Sequence, residues 1–86
     1  MFTFQLMSGK VYTVEPFNGY RFLNLRQEVY NTLEDILFEE GGEWISIDRI
    51  VILNRNGEEV GASDTQIDDY DEPEAGDHFY IVVRDA

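Results

Sequence analysis

The first sixteen residues alternate apolar and polar side chains, which is the pattern of a β-hairpin with one buried face. A short polar segment containing Gly9 separates the two strands, and glycine readily takes the positive φ that a tight hairpin loop requires. The apolar residues recur at every second position, first Phe2, Phe4 and Leu6, then Tyr12, Val14 and Pro16.

A stripe of apolar residues with helical spacing follows the hairpin. Asn24 is expected to cap the helix, because Gln27 three residues later completes a capping-box pattern. Gly41 and Gly42 are expected to end it. The stripe consists of Leu25, Val29, Leu33, Ile36 and Leu37.

The second half of the chain predicts three strands. Residues 49–53 and 79–83 are rich in β-branched and aromatic side chains and are expected to be buried strands. Asn56-Gly57 predicts a two-residue turn that leads to a short, charged strand over residues 58–60. Trp44 is expected to cover an edge of the core, and residues 61–77 form an acidic, turn-rich stretch.

The resulting order, β-β-α-β-β-β, predicts one α+β domain over residues 1–86. Both terminal strands are strongly apolar, and pairing them in parallel at the centre of a mixed sheet would bury both. A mixed sheet of this kind packed on one helix is the β-grasp fold. A four-stranded sheet with another strand order is the alternative.

The charge of the chain is large and unevenly distributed. The formal net charge is −12; residues 1–57 carry eight acids and five bases, whereas residues 58–86 carry ten acids and one base. This distribution argues against direct nucleic-acid binding, which normally uses a basic surface. It permits a protein partner with a basic surface, or serves solubility alone. The chain has no cysteine, so disulfides, zinc thiolates and cysteine nucleophiles are excluded.

Several segments resemble ubiquitin in their order and spacing. Met7-Ser8-Gly9-Lys10 resembles its first turn, and residues 49–52 resemble its third strand. Residues 67–70 resemble the short turn whose tyrosine, here Tyr70, braces a neighbouring loop in that family, and Ala75-Gly76-Asp77 is similar to a turn of β-grasp sulfur carriers. The resemblance implies a ubiquitin-like β-grasp fold. The sequence departs from that family in lacking a C-terminal diglycine, so conjugation chemistry is not expected.

Ubiquitin binds partners through an apolar patch on its sheet, and the resemblance places a matching patch here. If residues 79, 81 and 83 face the helix, the alternate residues of the last strand face outward. The alternative is the ordinary apolar area that any sheet exposes. The candidate partner-binding residues are Met7, Ile50, Ile52, His78, Tyr80 and Val82.

The acidic loop is a second candidate site. Its carboxylates suggest calcium binding, but the EF-hand spacing is absent, so no metal is expected. A resemblance to the acidic motif by which some β-grasp domains dimerise with a basic face is an alternative, as is a solvated, mobile loop. The residues are Asp68, Asp69, Asp71, Glu72, Glu74 and Asp77.

No arrangement for catalysis is recognisable, because the single histidine, His78, has no serine at a suggestive spacing. We therefore expect a non-catalytic, ubiquitin-like protein-interaction module, which could be a subunit of a larger assembly. The alternative is an acidic inhibitor or decoy that mimics the charge of nucleic acid. No cofactor, small-molecule substrate or membrane contact is expected. The first residues lack a signal-peptide pattern, so an intracellular location, cytoplasmic or nuclear, is expected.

Overall fold

The computed structural model describes residues 1–40, 45–61 and 67–84. Within them the elements follow the predicted order, with a single turn of 3₁₀-helix at Ile47–Arg49 before the third strand. The predicted helix stop at Gly41-Gly42 and the predicted position of Trp44 lie outside the described residues. The elements are β1 (Phe2–Gln5), β2 (Val11–Val14), α1 (Phe22–Glu40), β3 (Ile50–Leu53), β4 (Glu59–Val60) and β5 (His78–Val83).

The strands form one mixed sheet in the order β2-β1-β5-β3-β4. β1 and β5 are parallel, with Thr3 opposite His78, and the other neighbouring strands are antiparallel. This is the topology of the ubiquitin-like β-grasp, with the first and last strands paired inside the sheet. The predicted fold class is confirmed, and the four-stranded alternative is wrong.

The helix covers one face of the sheet, here called the inner face. Phe2 and Phe4 of β1 and Phe79 and Ile81 of β5 point to this face, as the alternation predicts, because successive strand residues point to opposite sides. The helix contributes the fully buried members of its apolar stripe, and the rest of the stripe packs around them. The core members from the helix and β3 are Phe22, Leu25, Val29, Ile50 and Ile52.

The helix begins two residues before the predicted cap. Phe22 and Leu23 donate their backbone N–H groups to the carbonyls of Asp71 and Asp69 at 3.0 and 2.9 Å. Asn24 lies inside the first turn, where its Oδ1 accepts from Arg21 N at 3.0 Å. The prediction of Asn24 as N-cap is therefore wrong, because carbonyl groups of a distant loop satisfy the first helical donors.

The turn between β3 and β4 is also one residue longer than predicted. Asn54 N donates to Glu58 O at 2.9 Å, so three residues lie between the paired positions rather than two. The Asn54 side chain stabilises the turn by accepting from the backbone N–H groups of Asn56 and Glu58.

Candidate functional site

The face of the sheet opposite the helix, here called the outer face, is built from the alternate residues of each strand. The strand registers align one row across all five strands: Val11, Gln5, Tyr80, Leu53 and Glu59. Thr13, Thr3 and His78 form a neighbouring row toward the N-terminal end of β5, and Val82 and Val51 pair on the other side. Within the described residues, no helix or strand packs over this face.

The β1–β2 side of the outer face is polar and held by hydrogen bonds to His78. Thr3 Oγ1 lies 2.5 Å from His78 Nδ1, and His78 Nε2 lies 3.1 Å from Gln5 Oε1. Since an amide oxygen can only accept, Nε2 is the donor of the contact with Gln5, whereas the threonine hydroxyl can donate to Nδ1 or accept from it. The imidazole is thus fixed between two residues of the neighbouring strand.

The β3–β5 side of the outer face is apolar. Tyr80 lies at its centre and is 41% exposed, with its ring edge-on to His78 at a centroid distance of 4.9 Å. Leu53, directly opposite Tyr80 on β3, and Val82, two residues further along β5, are half-buried. The predicted outward orientation of Tyr80 and Val82 is therefore observed, next to the polar row around His78.

Two of the predicted patch residues do not reach this face. Ile50 and Ile52 are 1% and 0% exposed and belong to the core, because they align with the inward Val83 and Ile81 of β5. Their assignment to a partner surface is corrected: the outward residues of β3 are Val51 and Leu53. Met7 is 73% exposed, but it lies in the β1–β2 turn rather than in the rows of the outer face.

The acidic loop, residues 68–77, is attached to the rest of the fold at both ends. Besides the helix contacts of Asp69 and Asp71, Asp77 O accepts from Thr3 N at 3.0 Å, and Gly76 N donates to Met1 O at 2.7 Å. Arg55 Nη2 donates to Gly76 O at 3.0 Å. The loop therefore joins the helix N-terminus to the start of the sheet, and the alternative of a freely solvated loop does not fit these contacts.

Several carboxylates of the acidic loop are used within it. Asp71 Oδ2 accepts from Asp68 N at 2.9 Å, and Asp68 Oδ1 accepts from Tyr70 N at 2.8 Å. Asp77 Oδ2 accepts from Glu74 N at 3.3 Å. Negative charge beside the first turn of the helix is also favourable for the helix dipole. The side chains of Glu72 and Glu74 are exposed, and Tyr70 is exposed beside Arg21 rather than buried as a bracing tyrosine.

Arg26 is the main structural residue that the sequence analysis missed. Its guanidinium donates to Ile50 O and, at 2.7 Å, to Gly61 O, while Nε lies 3.6 Å from Asp69 Oδ1. It thus connects the helix to β3, to the end of β4 and to the acidic loop. The available signal was its position: Arg26 is four residues after Phe22 and three before Val29, within the buried side of the helix.

Tyr20 makes a second missed contact, between the connector before the helix and the helix itself. Its hydroxyl donates to Glu28 Oε2 at 2.5 Å. Burial of the phenol raises the pKa of Tyr20 well above its ordinary value, and the hydrogen bond to Glu28 and the negative charge of Glu28 raise it further. Tyr20 also packs edge-on against Phe17 and tilted against Phe2, so this tyrosine is part of the core.

A cleft of about 640 Å³ lies between the β3–β4 turn and the acidic loop. Its walls include Asn54 and Asp71, over a floor containing the buried Phe22, Val60 and Phe79. Among the described residues, no group of three or more histidine, aspartate or glutamate side chains is placed to hold a metal ion. The same part of the chain contains no helix with the length and hydrophobicity needed to cross a membrane.

The fold and the outer face define a class, a small α+β domain with ubiquitin-like β-grasp topology. Comparison of the sequence with known protein families and with curated proteins found no match to either.

Proposed function

We propose that the chain is a non-catalytic protein-interaction module, a divergent member of the ubiquitin-like superfamily that binds a protein partner through the outer face of its sheet. The observation that supports this function is Tyr80, a large aromatic side chain that is 41% exposed at the centre of the sheet. Aromatic residues surrounded by smaller apolar side chains are the usual centres of binding energy in protein interfaces.

The two sides of the outer face suit an interface together. Tyr80, Leu53 and Val82 provide an apolar centre, and the hydrogen-bonded cluster of Thr3, Gln5 and His78 provides polar groups beside it. An apolar centre with polar surroundings is the common organisation of protein–protein interfaces. The net charge of −12 favours a partner with a basic surface.

The Thr3–His78–Gln5 cluster contains a hydroxyl, an imidazole and an orienting group, but its chemistry argues for anchoring rather than catalysis. In a hydrolase triad the third group is usually a carboxylate, which stabilises the imidazolium formed when the hydroxyl loses its proton. Gln5 is neutral and cannot supply that stabilisation. We therefore assign this cluster a structural role, which is to hold His78 and Tyr80 in position on the outer face.

Affinity capture from the native host tests the proposed function. The wild-type chain is compared with Tyr80→Ala, with Val82→Glu and with Tyr70→Ala, which removes an exposed aromatic ring from the acidic loop. Both outer-face variants should lose the captured partner, and Tyr70→Ala should retain it. Equal capture by all four chains would contradict binding through the outer face, provided that urea unfolding shows all four to be folded.

A further inference from the structure

We propose that the ion pair between Arg84 and Glu59 covers the apolar side of the outer face and can be displaced. A cationic side chain of the partner opens this cover by competing with Arg84 for Glu59. The identity of this competitor rests on the proposed function. Arg84 Nη2 lies 3.3 Å from Glu59 Oε1. The two residues belong to opposite sides of β3: Arg84 directly follows β5, and Glu59 lies in β4.

The strand order makes this pair cross β3. Two strand spacings, about 10 Å, separate β5 from β4, so the side chains meet above the strand between them. Along β3, Arg84 is level with Arg49 and Glu59 with Leu53. The residue midway between these positions is Val51, which points to the outer face.

The burial of Val51 agrees with such a cover. Val51 is only 9% exposed although it lies on the face away from the helix, whereas Tyr80 on the same face is 41% exposed. The backbone of Arg84 is fixed at the base of the cover, because its N–H donates to Arg49 O and its carbonyl accepts from Arg49 Nε, both at 2.7 Å. Displacement of the Arg84 side chain would therefore uncover Val51 without a change in the backbone.

Such a cover opens at little energetic cost. The Arg84 and Glu59 side chains are 59% and 30% exposed, and an ion pair of this kind is weak and sensitive to salt. Its displacement would join Val51 to Val82, Leu53 and Tyr80 as one apolar surface across β3 and β5. A lysine or arginine at the edge of a partner could form an ion pair with Glu59 in place of Arg84. The net charge of −12 would attract such a partner.

Methyl NMR with a neutral, soluble gadolinium chelate tests the cover without any partner. In Glu59→Gln and in Arg84→Gln, the paramagnetic relaxation of the Val51 methyl groups should rise about two-fold or more, because a weak pair no longer holds the covering side chain. Glu58→Gln is the matched control, since it removes the same charge one residue away on an exposed side chain and should leave Val51 unchanged. The core methyl groups of Val29 and Ile52 should stay protected in every variant and thereby report an intact fold.

Unchanged Val51 relaxation in Glu59→Gln would overturn the cover, whatever the partner. Capture of the partner then tests the sign of the competing charge. Arg84→Gln should strengthen capture because it removes the competitor for Glu59, and Glu59→Gln should weaken it. The opposite pattern would overturn the cationic competitor, whereas loss of binding in Tyr80→Ala tests the proposed function separately.

Discussion

The outer face and the acidic loop are the two regions that the sequence marks most clearly as sites, and they use their side chains in opposite ways. On the acidic loop, Asp68, Asp69, Asp71 and Asp77 all contact groups within the protein. On the outer face, Tyr80 exposes a large ring beside half-buried apolar neighbours. A dense run of charge therefore marks a structural connection here, and an ordinary strand residue marks the candidate binding surface.

The difference comes from hydrogen-bonding requirements. A loop that packs against a helix end has to satisfy its own backbone N–H groups, and short aspartate side chains do this efficiently. A sheet face has its backbone groups satisfied within the ladder, so its side chains remain available for a partner. Substitutions test whether the loop stabilises the fold and whether the side chains of the outer face are available for a partner.

The largest effect is expected when the loop loses its attachment to the core. Arg26→Ala should lower the free energy of unfolding by about 3 kcal/mol, because it leaves the carbonyls of Ile50 and Gly61 and the carboxylate of Asp69 without their partner. Urea unfolding measures the change. Arg55→Ala, which removes one exposed contact to Gly76 O, should cost less than about 1 kcal/mol. Equal losses would show that the loop is not held through Arg26.

Gly61, whose carbonyl accepts a hydrogen bond from Arg26, tests the packing between the end of β4 and the helix. Gly61 has φ +78°, and a Cβ there would approach Phe22 Cβ to 3.1 Å. Gly61→Ala should therefore destabilise by about 2 kcal/mol, from backbone strain plus crowding. Gly57→Ala is the control, because Gly57 has a similar φ of +80° but a Cβ added there would meet no atom within 4 Å apart from its chain neighbours. This substitution should lower the free energy of unfolding by about 1 kcal/mol. A loss as small as that of the control would exclude a tight contact with Phe22.

Alkaline pH tests the burial of the Tyr20 phenol and its hydrogen bond to Glu28. Because the folded-state pKa of Tyr20 is raised, the unfolded chain loses this proton first as the pH rises above about 10, and stability then falls. Between pH 10 and 11 the free energy of unfolding should drop by roughly 1 kcal/mol from this residue.

Tyr20→Phe should remove that part of the alkaline loss, as measured by urea unfolding at each pH. If the pH profile of Tyr20→Phe matched that of the wild type, the hydroxyl of Tyr20 would not be protected in the folded state.

The smallest effect distinguishes carboxylates within the acidic loop. Asp71→Ala should cost about 0.5–1 kcal/mol because Asp68 N loses its acceptor. Glu72→Ala removes the same charge from an exposed neighbour and should change stability by less than about 0.5 kcal/mol. The difference between the two midpoints in urea is the measurement, and no difference would mean that the loop is no more structural than ordinary surface charge.

Periodicity was sufficient to predict most of the fold. The alternation in β1 and β5 and the stripe around Leu25 and Val29 identify the buried faces. The central parallel pair was predicted from the apolar character of both terminal strands and from the resemblance to ubiquitin. In β3 all four residues are apolar, so period two cannot assign its faces. Only the register of Ile52 with Ile81 shows that Ile52 points inward. The sequence therefore led to Ile50 and Ile52 as patch residues instead of the outward Val51 and Leu53.

The contacts between distant segments could not be predicted from local patterns. The helix start depends on carbonyls of Asp69 and Asp71, more than forty residues away, and no feature near Asn24 reveals them. The cover over Val51 likewise needs the strand order before Arg84 and Glu59 can be seen to meet. The period-two alternation identified the outer residues of β5, but the structural role of the acidic loop became apparent only from its hydrogen bonds.

The parallel pairing of β1 with β5 also has a kinetic consequence. Thr3 lies opposite His78, so the centre of the sheet closes only when segments from the two ends of this sequence meet. Contacts of such long sequence separation require the loss of much chain entropy before they are rewarded, and they slow folding. The hairpin and the helix should therefore form early and transiently. The rate-limiting step should be the pairing of β5 with β1 and β3, after which the remaining strands can pair with the central ones.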